Sequence, residues 1–310
     1  LDTTVFVRSF AHPGEEVPLL SVEEGPGGKG ANAAVAAGRI LGKGRVAFVG
    51  GIGEDKLEPL LRRSLLKEGV LSGGLLTLNG YPTGRAFVVV DSSGAKIIHT
   101  RFGANDGILP RHLKLEGSAL VLGSSSAEVL MDTPTTVAIA AAKAAKAAGA
   151  LIVYSPGVRA TESFDRLARV LALADYLVVN RSELAKLTGS DSPTDGLRKV
   201  LERFPRLTAV VTLGSEGCVV AHGNSYTLVP PVDLSALGSR ALNSTGSGDA
   251  FLAAYVCRLV EGDSPEESAL WGNLAGALKA SSTQTRGSPT RAQLESKMKA
   301  WLKVRLRPQG

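Results

Sequence analysis

Apolar positions fall into two alternating rhythms over the second half of the chain. Short apolar runs rich in β-branched residues, Leu151–Tyr154, Tyr176–Val179 and Thr208–Leu213, predict buried strands, and Ala119–Leu122 reads the same way. Between them, Pro134–Ala148, Phe164–Leu173 and 193–203 carry apolar residues at helical spacing. Strand following helix in this order argues for an α/β fold with a doubly wound, mostly parallel sheet, right-handed crossovers and a ligand cleft beyond the carboxyl ends of the strands. Upstream, Arg45–Gly51 predicts another buried strand, and Glu54–Gly69 an amphipathic helix ended by glycine. Asp2–Phe10, Thr83–Asp91 and Lys96–Arg101 differ. They are partly alternating, and the last two flank the turn Ser92-Ser93-Gly94, so they predict a small separate sheet.

One predicted helix stands apart. From Ala250 through Phe251, Leu252, Ala253, Ala254, Tyr255, Val256 and Cys257 it is apolar nearly all round, which marks it as buried, and it opens on Gly246-Ser247-Gly248-Asp249. A helix start offers unpaired N–H groups and the positive end of the dipole, and small residues there let an anion approach the backbone. Asp249 would then lie beside the transferred atom as a proton acceptor. The stretch also reads as a plain glycine-rich cap with an acidic first turn. A second glycine-rich stretch, Gly27-Gly28-Lys29-Gly30-Ala31-Asn32, opens an alanine-rich helix. It is not a Walker A loop, because Gly30 follows Lys29 where Ser or Thr is required. Its glycines suit wrapping a small polyol, with Asn32 donating to and accepting from hydroxyls.

Composition narrows the picture. The 310 residues are 44% apolar, enough for a sizeable core, and the net charge of +6 suits an anionic substrate. The basic excess gathers partly at Lys297, Lys299, Lys303, Arg305 and Arg307, where Trp301 is the only interleaved aromatic; this reads as a solvated face, not a nucleic-acid surface. Cys218 and Cys257 lie in apolar runs and read as buried free thiols. No secretory or membrane-spanning run is visible, so a soluble, cytoplasmic protein with no membrane partner is expected.

Taken together, the two glycine-rich stretches resemble the signatures of the ribokinase-like (PfkB) carbohydrate kinases. Asn243-Ser244-Thr245-Gly246-Ser247-Gly248-Asp249-Ala250-Phe251 is similar to the family's D-T-x-G-A-G-D-x-F, and Gly27 to Ala34 to its Gly-Gly-Lys-Gly-x-Asn turn. Gly103-Ala104-Asn105 and Thr83-Gly84 look most like the ribokinase branch. The resemblance implies one ribokinase-like domain over 1–310, with lid strands at about 2–22 and 75–105 that often pair two copies into a homodimer. It implies Asp249 as the catalytic base, with Gly246, Ser247 and Gly248 stabilising the phosphoryl group. Asp2, Gly28, Lys29, Asn32 and Asp132 would bind the sugar. Asn180, Thr212, Gly214 and Asn273 would line the nucleotide site, with Glu183 organising Mg²⁺ through water. ATP and Mg²⁺ are the implied cofactors, with K⁺ at a monovalent-cation site near Asn243. As bare patterns, Asn180-x-x-Glu183 also reads as a helix cap, Asn273 as an exposed helical residue and Asp2 as a solvated terminus.

Departures bear on the reading. Asp132 stands where the family has Glu, Ser155-Pro156 replaces Asn-Pro, Asn243 replaces Asp, and the segment around Thr285-Arg286-Gly287-Ser288 is short. Asn243 removes a carboxylate from the cation site, so weak K⁺ dependence is expected. The resemblance also implies an apolar core strand ahead of Leu1-Asp2, which would make these residues part of a longer chain and leave them less soluble and weaker in sugar binding. The expected activity is ATP-dependent phosphorylation of a pentose primary hydroxyl, with D-ribose first. A nucleoside, ketose or deoxy-sugar acceptor, and a non-catalytic sugar-binding relative, are the alternatives.

Overall fold

The computed structural model describes residues 1–113 and 126–305. The chain opens with the strands β1 (Asp2–Val7) and β2 (Leu19–Gly25), then α1 (Lys29–Leu41). A parallel unit follows: β3 (Ala47–Gly53), α2 (Glu58–Lys67), β4 (Leu71–Leu78). Strands β5 (Arg85–Val90) and β6 (Lys96–Arg101) return to β1, giving a four-stranded sheet in the order β2-β1-β5-β6. Next come β7 (Ala127–Met131), α3 (Thr135–Ala147), β8 (Leu151–Ser155), α4 (Phe164–Leu171), β9 (Tyr176–Asn180), α5 (Arg181–Thr188), α6 (Pro193–Arg203) and β10 (Thr208–Thr212). The hairpin β11 (Cys218–His222) and β12 (Ser225–Val229) precedes the helices α7 (Ser247–Glu261), α8 (Pro265–Ala280) and α9 (Arg291–Arg305).

Strands β7 to β10 are parallel, and β11 and β12 extend the sheet antiparallel in the order β12-β11-β10-β9-β8-β7. Both faces of this sheet are buried, which is why its strands read as continuous apolar runs instead of alternating ones. On one face Ile152, Leu177, Val179 and Val211 pack against Ala138 and Ala142 of α3, Leu167 of α4 and Leu197 of α6. On the other, Val153, Val178 and Val210 pack against Phe251, Leu252 and Tyr255 of α7 and Ala269 of α8. The expected doubly wound α/β architecture is present.

Its details differ from expectation in four places. The pair β3–β4 forms its own sheet, not hydrogen-bonded to β7, so Leu71–Leu78 belongs there and not with the lid strands. The first strand of the long sheet is Ala127–Met131; the predicted run Ala119–Leu122 lies outside the described residues. β2 runs past the expected lid stretch 2–22 to Gly25, because Glu23 and Glu24 break the apolar run, and it is exposed on both faces, Leu19, Leu20 and Val22 included. α5 is a single short helix hidden behind what reads as the end of a strand. A cavity of about 1320 Å³ runs from the cleft above the strand ends into the space between β3 and β7, where Phe48, Val49, Leu130 and Val256 line it.

Helices α7 and α8 cross at Gly272, where an added Cβ would lie 2.8 Å from the Phe251 ring. In a helix interior, Gly to Ala normally gains about 1 kcal/mol. Here overpacking against a buried ring costs about 1–3 kcal/mol and wins. Gly272→Ala is therefore expected to cost about 1 kcal/mol of stability, read as a lower urea midpoint with an unchanged slope; a midpoint at or above wild type would show that Phe251 can move.

Candidate active site

The first turn of α7 opens into the cleft. Gly246 caps it at φ 83°, a left-handed conformation that disfavours a side chain, and the cap carries no side-chain hydrogen bond. Ser247 Oγ is buried without a partner. Ser247 N donates to the Ser244 carbonyl at 3.2 Å, but a helix start with no side-chain cap and an orphaned hydroxyl in the same turn form a cradle that an oxyanion would complete.

Asp249, in the same turn, is 8% exposed, and its Oδ2 accepts from Asn32 Nδ2 at 3.0 Å. Burial pushes its pKa up to about 6, against the Asn32 hydrogen bond and Lys29, with Asp2 and Asp132 adding to the rise. A buried carboxylate near 6 is a proton acceptor poised close to neutral pH. Asn32 comes from α1, whose own start at Lys29 follows the Gly27-Gly28 turn. Two glycine-rich helix starts, far apart in sequence, thus meet at one carboxylate.

Asp2 lies on β1 and folds over Gly27, where a Cβ would run into its carboxylate. Burial raises the Asp2 pKa, opposed by the Leu1 amine, Arg286 and a hydrogen bond from the Gly28 backbone. Lys29 reaches across the cleft to Glu183 Oε1 at 3.1 Å and Asp132 Oδ2 at 3.8 Å. Burial alone would lower its pKa, but Asp132, Glu183 and Asp249 together raise it. Asp132 is the one non-glycine among the described residues at positive φ, 47°. That strain, at the end of β7, is held by hydrogen bonds from Val158 N (2.7 Å) to its Oδ1 and from Arg159 Nε (2.7 Å) to its carbonyl.

On the nucleotide side, Asn180 and Glu183 form a reciprocal capping box at the start of α5: Glu183 N donates to Asn180 Oδ1 (2.8 Å) and Asn180 N to Glu183 Oε2 (3.1 Å). Thr212 ends β10, and Gly214 turns away from it; both line the cleft. Asn273 does not itself line the cavity. Its amide donates to the carbonyls of Val229 (3.2 Å) and Pro230 (2.9 Å), which pins α8 to the end of β12.

Residues 2–291 match the pattern of the pfkB family carbohydrate kinases. The chain belongs to that family. It is 30% identical to fructokinase-1 of Zea mays over 290 residues, covering 87% of each chain. With the ribokinase of Haemophilus influenzae it shares 28% over 297 residues, 94% of this chain and 93% of that one. The crystal structure of Thermotoga maritima ribokinase superposes with a TM-score of 0.80 at 27% identity, covering 96% of both chains. As a pfkB kinase the protein is a phosphotransferase, and among its described residues no helix is long and apolar enough to cross a membrane.

The donor set around the kinase cleft accommodates a Mg²⁺ held through water. Among the described residues no three His, Cys, Asp or Glu side chains converge to hold a metal by themselves. Glu183 offers a single carboxylate with lone pairs left over, which suits an ion that keeps most of its waters and takes further oxygens from phosphate. Sequence reasoning missed three residues here. Arg286 donates to Asn32 Oδ1 (3.1 Å), Gly27 O (3.1 Å) and Ser64 Oγ (2.8 Å), fixing which face of Asn32 meets Asp249. Lys96 of β6 donates to Ser244 Oγ at 3.2 Å. Lys279 of α8 is wholly buried and donates to the Asn243 carbonyl at 3.1 Å, its pKa lowered to about 8 by burial and by Lys96, against Asp249. None sits in a motif; only the coincidence of a basic residue with an apolar helix face signals Lys279.

A carboxyl whose native pKa is raised favours the protonated native state, so its contribution falls as pH rises from 3.8 to about 6 and stays low above. That rise corresponds to a penalty on the order of 3 kcal/mol at neutral pH. Asp249→Asn keeps the acceptor for Asn32 and loses the charge. It is expected to melt higher than wild type at pH 8 and alike at pH 3.5; a variant less stable at pH 8 would contradict the burial argument.

Proposed function

We propose that the protein transfers the γ-phosphoryl group of ATP to the primary hydroxyl of a small sugar, D-ribose before others, with Asp249 as the general base. The observation that carries this reading is the buried Asp249 carboxylate, held by Asn32 in the uncapped first turn of α7. The acceptor would lie among Asp2, Gly28, Asn32 and Asp132, whose carboxylates and amide match vicinal hydroxyls. Its reacting O–H gives its proton to Asp249 as the new O–P bond forms, and the bond from the γ-phosphorus to the bridging oxygen breaks, leaving ADP. The backbone N–H groups of Gly246 and Gly248 and the Ser247 hydroxyl would face the charge spread over the transferring oxygens, while Ser247 N is engaged by the Ser244 carbonyl. Mg²⁺, near Glu183, would neutralise charge on the phosphates. Lys29, with Glu183 on one side and Asp132 on the other, stands between the acceptor and donor halves.

A ketohexose is the second reading, because fructokinases stand beside ribokinases among the relatives. A nucleoside fits less well: the aromatic residues lining the cavity are Phe48 and Phe102, and the Phe102 ring is already covered by Arg159 at 4.6 Å. Asp249→Ala is expected to bind ATP and acceptor while losing at least about a thousandfold in kcat, within the span of lost acid–base and orientation terms. Near wild-type turnover would remove Asp249 from the chemistry. A panel of ribose, fructose and adenosine with ATP and Mg²⁺ should rank ribose first by kcat/KM, and a preference for adenosine would overturn the sugar assignment.

A further inference from the structure

The turn that leads into α7 is tied to a second stretch of chain. Leu242 and Asn243 donate their N–H groups to the Ala280 carbonyl at 2.7 and 2.9 Å, and Asn243 Nδ2 donates to Thr283 O at 3.0 Å. The Asn243 side chain also closes the turn by accepting from Thr245 N at 2.9 Å. Behind this turn sits Lys279, wholly buried, its Nζ on the Asn243 carbonyl and its Cε 3.5 Å from where a Cβ on Gly246 would stand. The Thr285 carbonyl is 2.8 Å from the same point. An ammonium bonded to the Asn243 carbonyl therefore lies behind the cap of α7, its stem beside Gly246.

Removing an ammonium from water costs several kcal/mol, and a neutral residue of similar volume would pack here at less expense. Its charge faces Asp249 on α7 and is repelled by Lys96 from β6. The family resemblance implies a bound monovalent cation beside Asn243. K⁺ does not fit the residues present: the Asn243 carbonyl is engaged by the Lys279 ammonium, and Asn243 carries no charge to attract a second cation.

We infer that the Lys279 ammonium is a built-in substitute for a bound monovalent cation, holding the Asn243 carbonyl, and with it the 242–246 turn, so that the start of α7 stays aimed at the transferring phosphoryl group. Lys279 is then a positioning residue, and the consequence is a kinase indifferent to K⁺. This rests on the kinase reading above for its effect on turnover, but not for its effect on the fold.

The test compares wild type, Lys279→Ala and Lys279→Met in KCl, NaCl and choline chloride at equal ionic strength, so that screening is constant. Wild-type turnover and melting temperature should be the same in all three salts. Lys279→Ala should lose about tenfold or more in kcat in choline chloride with little change in acceptor KM, the size expected for misaimed oxyanion donors. KCl, its cation entering the vacated space, should restore much of the loss and raise the melting temperature of this variant alone. Lys279→Met, which fills the space without charge, should be slow and unrescued. Strong K⁺ stimulation of wild type, or a fully active Lys279→Ala in choline chloride, would overturn the inference. Should no acceptor be phosphorylated in any salt, the kinase reading falls; the melting curves still decide, because a wild type stabilised by K⁺ over choline contradicts a built-in cation and an indifferent one supports it.

Discussion

Burial of α7 constrains everything around it. Phe251, Leu252 and Tyr255 fill one face of the long sheet, while Ala250, Ala254 and Cys257 pack toward α1 and α9, so the helix has no solvated side on which to compromise. Its first turn nevertheless ends at a cleft, uncapped, with a carboxylate 8% exposed. By itself that arrangement is unfavourable: the helix start has no side-chain cap, the Ser247 hydroxyl has no partner and a carboxylate sits out of water. An anionic ligand and a proton-donating hydroxyl would relieve all three at once. Stability is given up at the place where chemistry needs it.

The surrounding elements read as supports for that turn. Asn32 from α1 orients Asp249, and Arg286 orients Asn32. From behind, Lys279 and the Ala280 carbonyl hold the 242–246 turn; from the four-stranded sheet, Lys96 reaches Ser244. The last contact ties the four-stranded sheet to the turn that leads into α7. Lys29 ties in the other half of the cleft through Glu183, whose second oxygen is already committed to capping α5.

What was legible in the sequence follows from where the physics is local. Gly246 to Asp249 and Gly27 to Asn32 could be read because a helix start that must admit a ligand demands small residues at fixed positions. The strands β8, β9 and β10 could be read because burial on both faces leaves continuous β-branched runs. Strand β7 could not: Ala127–Met131 carries Glu128, whose carboxyl burial raises its pKa to about 7, and a charged residue argues against a buried strand. β4 holds Gly73 and Gly74 and reads as a loop. Arg286 and Lys279 act through contacts with residues more than thirty positions away, so nothing in their neighbourhood announces them. Asn273 shows the reverse case, a polar residue in a suggestive position whose amide is spent on holding two elements together.

The central claim is that Asp249 deprotonates a primary hydroxyl brought to the start of α7. The proton-coupled ³¹P spectrum of the product formed from ATP and ribose tests this most directly, because a phosphate on a CH₂–O group is split by its two geminal protons. The account predicts a phosphomonoester triplet with the wild-type protein and no ester with Asp249→Asn. A doublet, from phosphorylation at a ring or anomeric carbon, or an ester formed equally well by the variant, would contradict it.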